Sequence, residues 1–77
     1  MPGEKCSPER AFARRLRQRR EELGLRKQEI ARRAGLSLTT IQQYENGQLP
    51  KSLHALALAE ILNCSLDWLL AGRGDAG

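Results

Sequence analysis

Glycine and proline cut this chain into short segments, and that punctuation constrains the fold more than any other feature. Pro8, Gly24, Gly35, Gly47, Pro50 and Gly72 are spread so that no segment can grow into a long element. Within nearly every segment the apolar residues recur at helical spacing and not in the alternation of a strand. The expected fold is therefore all-α, with five short helices packed around one core. No internal repeat or low-complexity linker interrupts them.

The helix boundaries follow from capping chemistry. Ser7-Pro8-Glu9 offers a hydroxyl cap, a proline at the first helical position and an acid in the first turn. Phe12, Leu16 and Leu23, with Ala13 beside them, give that helix its inner face. Gly24 is placed to end it in a left-handed conformation, with Leu25 packing back over the last turn. A second helix is expected from Lys27 to Ala34, with Ile30, Ala31 and Ala34 inward. Its start is weak, because Arg26 stands where Ser, Thr, Asn or Asp is favoured. Ser37 caps a third helix from Leu38 to Glu45, which Asn46-Gly47 stops. Ser52 is expected to cap a fourth through Leu62, apolar at Leu53, Leu58, Ala59 and Leu62. Ser65 caps a fifth from Leu66 to Ala71, closed by Gly72. The domain thus runs over residues 7–72, between a flexible start at 1–6 and a short tail at 73–77.

Composition removes several classes of function. A chain of 77 residues has room for one small core and not for a large enzyme cleft. No stretch approaches the roughly 18 apolar residues of a membrane span, and no apolar signal-peptide region follows the first charges. Cys6 and Cys64 form no CxxC pattern, and His54 is the remaining soft ligand, so no metal site or cofactor is expected. The cysteines read as reduced thiols of a cytoplasmic protein. One Phe, one Trp and one Tyr supply poor stacking for single-stranded nucleic acid. The charge is one-sided. Residues 1–35 carry eleven basic and five acidic side chains, a net +6, whereas residues 36–77 carry two and four, a net −2. That asymmetry suggests an electrostatic footprint on one side of the domain.

The segments on either side of Gly35 carry the functional signal. In a helix-turn-helix the second helix crosses the first steeply and still shares its core. This needs a small residue where the helices touch, a glycine at the reversal and apolar residues at a few fixed steps. Counting from Lys27, Ile30 is fourth, Ala31 fifth, Ala34 eighth, Gly35 ninth, Leu36 tenth, Ile41 fifteenth and Tyr44 eighteenth. Each is a suitable residue for its place. Leu38, Thr39, Gln42 and Gln43 then project from faces of the third helix that Ile41 and Tyr44 do not use.

Three motifs in this order resemble the helix-turn-helix family of the lambdoid phage repressors and Cro proteins, the XRE-like regulators. Leu25-Arg26-Lys27-Gln28-Glu29-Ile30-Ala31 is similar to the family's "LsqeeLA", Ile41 to Gly47 to its "I…ENG", and Ser65-Leu66-Asp67-Trp68-Leu69-Leu70 to its final "SvdWLL" helix. The likeness runs from about Phe12 to Gly72. It implies a five-helix lambda-repressor-like domain and a transcriptional regulator, a repressor first of all, that reads an inverted-repeat operator in double-stranded DNA as a homodimer. Leu38, Thr39, Gln42 and Gln43 would meet base edges, with Gln43 able to pair bidentately with adenine. Lys27, Gln28, Ser37, Asn46 and Lys51 would meet phosphates, helped at Lys27 by free amides and the helix dipole. Arg20 and Glu45 stand where relatives place an ion pair beneath the recognition helix, and Leu66 and Leu70 would contribute to a dimer interface. The chain departs from relatives that carry glutamines at the first groove-facing positions, so base preference does not carry over. The loop between Gly47 and Ser52 is also shorter than in some phage members.

Blander readings stand beside these. Arg14, Arg15, Arg17 and Arg19 read first as a solvated face, with Arg10 and Arg14 best placed to reach DNA. Arg32 and Arg33 are expected in solvent. Trp68 is expected in the core over the fourth helix, Cys64 as a small buried hydrophobe, and His54 in a solvated or phosphate-adjacent place. No catalytic grouping has a cavity to work in, and no small-molecule ligand is evident. A rival class is an antitoxin-like protein-interaction module that binds DNA secondarily. Arg73-Gly74-Asp75-Ala76-Gly77 is expected to be too short to cover such a partner, though it could begin the linker of a longer repressor.

Overall fold

The computed structural model describes residues 8–74. The order is α1 (Pro8–Glu22), α2 (Lys27–Ala34), α3 (Leu38–Glu45), α4 (Ser52–Ile61) and α5 (Leu66–Ala71), with no strand among the described residues. The Ser7 cap, Cys6, the flexible start at 1–6 and the last three residues of the expected tail lie outside the described residues.

Local chemistry sets most boundaries. Ser37 Oγ accepts the Thr40 amide at 3.1 Å and Ser65 Oγ accepts the Trp68 amide at 3.0 Å, each satisfying one of the orphan amides of a first turn. The Arg26 side chain has no acceptor to offer α2. The start is secured from the other side, where Glu29 Oε1 accepts the Arg26 amide at 2.9 Å, the reciprocal half of a capping box. Gly35 closes α2 at φ 73°, a conformation that side chains with a Cβ resist.

Phe12, Leu16, Ile30, Ile41, Leu58, Leu62 and Leu69 are completely buried and form the centre of the core. α1 packs against α3 and α5, α2 against α3 and α4, and α4 against α5. Helices α2 and α3, linked through Gly35, form the helix-turn-helix.

Several expectations are corrected. Leu23 is 39% exposed, because α1 ends at Glu22 and the turn at Gly24 lets Leu25 pack on the core in its place. Leu53 is 78% exposed. The inner face of α4 is Ala55, Leu58 and Ala59, continued by Leu62 at its end, and Leu53, two residues before Ala55, points about 200° away from it. Ser52 is the first residue of α4 and not its cap. Lys51 holds the cap position with extended backbone and no side-chain acceptor, and α4 ends at Ile61 with Leu62 as its C-cap. Trp68 is half-buried at the edge of the core, while Leu69 beside it is completely buried.

Candidate nucleic-acid interface

α3 has two faces with separate tasks. Ile41 and Tyr44 are buried against the domain, the Tyr44 ring meeting Phe12 edge-on with centroids 6.3 Å apart. Thr39, Gln42 and Gln43 are exposed, and Leu38 is half-buried at the helix start. The four residues expected to meet bases are therefore grouped on one helix, with three of them fully available to a partner.

The residues expected to meet phosphates lie at helix ends. Lys27 is half-buried and Gln28 exposed at the start of α2. Ser37 is exposed but engaged as the α3 cap, its Oγ also 2.9 Å from Thr40 Oγ1. Asn46, exposed, is the C-cap of α3, and Lys51, exposed, is the N-cap of α4. Leu66 is half-buried and packed on the core, and Leu70 is exposed, so α5 offers one of its two expected interface leucines more fully than the other.

Beneath α3 lies an ion pair. Arg20 Nε donates to Glu45 Oε2 at 2.7 Å and Arg20 Nη2 to Oε1 at 3.3 Å, a bidentate fork that fixes geometry as well as charge. Arg20 Nη1 also donates to the Leu25 carbonyl at 3.1 Å. The side chains are only 12% and 5% exposed. One cluster thus ties α1, the turn before α2 and the last residue of α3 together.

Two arginines expected in solvent are not there. Arg15 Nε donates to the Leu69 carbonyl and Nη2 to the Leu70 carbonyl, both at 2.9 Å. Arg19 Nε donates to the Leu62 carbonyl at 2.8 Å and Nη2 to that of Asn63 at 3.3 Å. Each guanidinium covers carbonyls at a helix C-terminus, where the helix dipole favours a cation. Burial, and then the neighbouring Arg14, pull the Arg15 pKa below its ordinary value. Arg14 and Arg17 remain on the outside, Arg17 pairing with Glu21 at 3.6 Å, and Arg32 and Arg33 are exposed. His54 is half-buried, its Nδ1 2.6 Å from the Tyr44 hydroxyl, and so is not simply solvated. Cys64 is partly buried against the core, and that burial pushes its thiol pKa up.

A family model described as helix-turn-helix matches residues 16–69. The chain belongs to the helix-turn-helix family of phage-repressor, XRE-like type. Members of this family are DNA-binding regulators of transcription. Among curated proteins the chain is similar to the HTH-type transcriptional regulators for the conjugative elements R391 of Providencia rettgeri and SXT of Vibrio cholerae. Each is 33% identical over 54 residues, which is 70% of this chain and 25% of the relative. The chain therefore spans about a quarter of the length of these relatives. Among solved structures, the P22 c2 repressor protein in complex with synthetic operator 9T in the presence of Tl+ superposes with a TM-score of 0.76 at 35% identity. The match covers 80% of this chain and 96% of that one. No described helix is long and apolar enough to cross a membrane.

Proposed function

We propose that this chain is the operator-reading part of a transcriptional repressor, binding double-stranded DNA sequence-specifically from the cytoplasm of a bacterial cell. The observation that carries the reading is the row Thr39, Gln42 and Gln43, exposed on a helix whose other face is locked into the core by Ile41 and Tyr44. A helix held this way can enter the major groove without losing its own packing. Gln43 then pairs with adenine, Thr39 bonds to either base type, and Leu38 meets a thymine methyl. Lys27, Gln28, Ser37, Asn46 and Lys51 bind phosphates on the two flanks and set the register. The Arg20–Glu45 pair positions α3 and does not itself touch DNA.

Two copies act together on DNA, through a surface that includes Leu66 and Leu70. Their recognition helices enter successive major grooves roughly 34 Å apart, so the operator is an inverted repeat. Phosphate contacts supply much of the affinity and make it fall steeply with salt. Repression follows from occupying promoter DNA. The test is selection from a randomised duplex library at two salt concentrations. Enrichment of an inverted repeat at both is expected, whereas salt-sensitive binding with no enriched site would reduce the chain to a basic surface.

A further inference from the structure

Helices α3 and α4 are joined by a single polar side-chain link. The Tyr44 hydroxyl and His54 Nδ1 lie 2.6 Å apart, and among the described residues this is the only hydrogen bond between side chains of the two helices. Otherwise α3 packs chiefly on α1 and α2, and α4 on α2 and α5, with the loop at 46–51 connecting them. The bond ties the last turn of α3 to the first turn of α4.

Tyr44 is 3% exposed, and its hydroxyl lies within hydrogen-bond reach of His54 Nδ1. With Nδ1 as the acceptor, Tyr44 donates and the imidazole hydrogen sits on Nε2. His54 is the third residue of α4, three beyond Lys51, and Tyr44 stands next to Gln43 and two residues before Asn46.

We propose that His54 is a positioning residue for DNA binding. Through Tyr44 it holds the phosphate-facing start of α4 in register with the base-reading face of α3. The proposal rests on the DNA-binding reading above and adds to it the part that sets one flank of backbone contacts against the recognition helix.

The test compares Y44F, H54N, H54Q, K51A and the Y44F/K51A double variant on the operator selected by the wild-type chain, reading affinity against salt below the lowest melting transition. Asparagine places an acceptor where Nδ1 stood; glutamine reaches the Nε2 position and leaves the Nδ1 position empty. H54N is expected to keep the wild-type salt slope, while Y44F, H54Q and K51A each lose about one unit of it, the equivalent of one phosphate contact. In the Y44F background K51A should remove nothing further. Base preference should be unchanged in all. A lower melting temperature alone does not alter a salt slope measured on folded protein, so a merely structural bond would leave the slopes equal. Wild-type slope in Y44F, or equal behaviour of H54N and H54Q, would overturn the proposal. Failure of the wild-type chain to enrich any duplex would instead remove the DNA-binding reading, and this proposal with it.

Discussion

Removing Arg20 should cost this domain a large fraction of its stability. The Glu45 side chain is 5% exposed and its two oxygens receive Arg20 Nε at 2.7 Å and Nη2 at 3.3 Å. Arg20→Ala leaves that carboxylate buried without its partner and strips the Leu25 carbonyl of a donor. Breaking a buried pair from one side costs about 3–5 kcal/mol. A domain of this size is stable by only about 4–12 kcal/mol in all, so the loss is a large fraction of the total. At about 4–8 °C per kcal/mol for small domains, the melting temperature should fall by at least about 12 °C. Arg20→Lys should recover little, since one ammonium cannot reproduce the fork. Arg20→Met with Glu45→Leu should recover most of the loss, because an apolar replacement of both partners leaves no stranded charge. Thermal melts followed by circular dichroism measure all four chains. A loss below about 1 kcal/mol for Arg20→Ala would show an ordinary screened surface pair, and the account of how α3 is seated would be wrong.

Other substitutions test the packing. Arg15→Ala and Arg19→Ala should each cost about 1–3 kcal/mol in denaturant unfolding, the worth of hydrogen bonds from a charged donor to otherwise uncovered carbonyls, and lysine should restore little at either place. Leu53→Gln should change stability by less than about 0.5 kcal/mol, while Leu58→Ala in the same helix should cost about 2–5 kcal/mol; equal effects would mean that the inward face of α4 is misassigned. Gly35→Ala should cost about 1–2 kcal/mol, although its Cβ would meet nothing within 4 Å, because the penalty lies in the left-handed backbone and not in contact. Calorimetry or denaturant titration would check it, and a neutral result would show that the turn relaxes to another conformation.

Much of this architecture is legible in the sequence because its signals are local. A serine before a helix, a glycine after one and apolar residues at fixed steps act over a few positions, and Ser37, Ser65, Gly35, Ile30 and Ile41 stand as expected. The two arginine caps were hidden for the opposite reason. Arg15 and Arg19 bind main-chain carbonyls more than 40 positions away, and a carbonyl has no residue type to announce it. Leu53 misled because α4 is apolar at nearly every step, so periodicity names no unique inward face. His54 looked solitary because its partner, Tyr44, is ten positions back, on the other side of the loop at 46–51. The row on α3 was legible only through its setting, since Thr39, Gln42 and Gln43 by themselves are ordinary polar surface.

The base preference of Gln43→Ala on the selected operator, read position by position, decides whether α3 reads bases directly. A bidentate contact to adenine predicts a loss of about 1–3 kcal/mol on the native site and relaxed preference at one base pair in each half-site, with the salt slope unchanged. A uniform weakening on every sequence, or no change at all, would contradict direct readout by this face of α3.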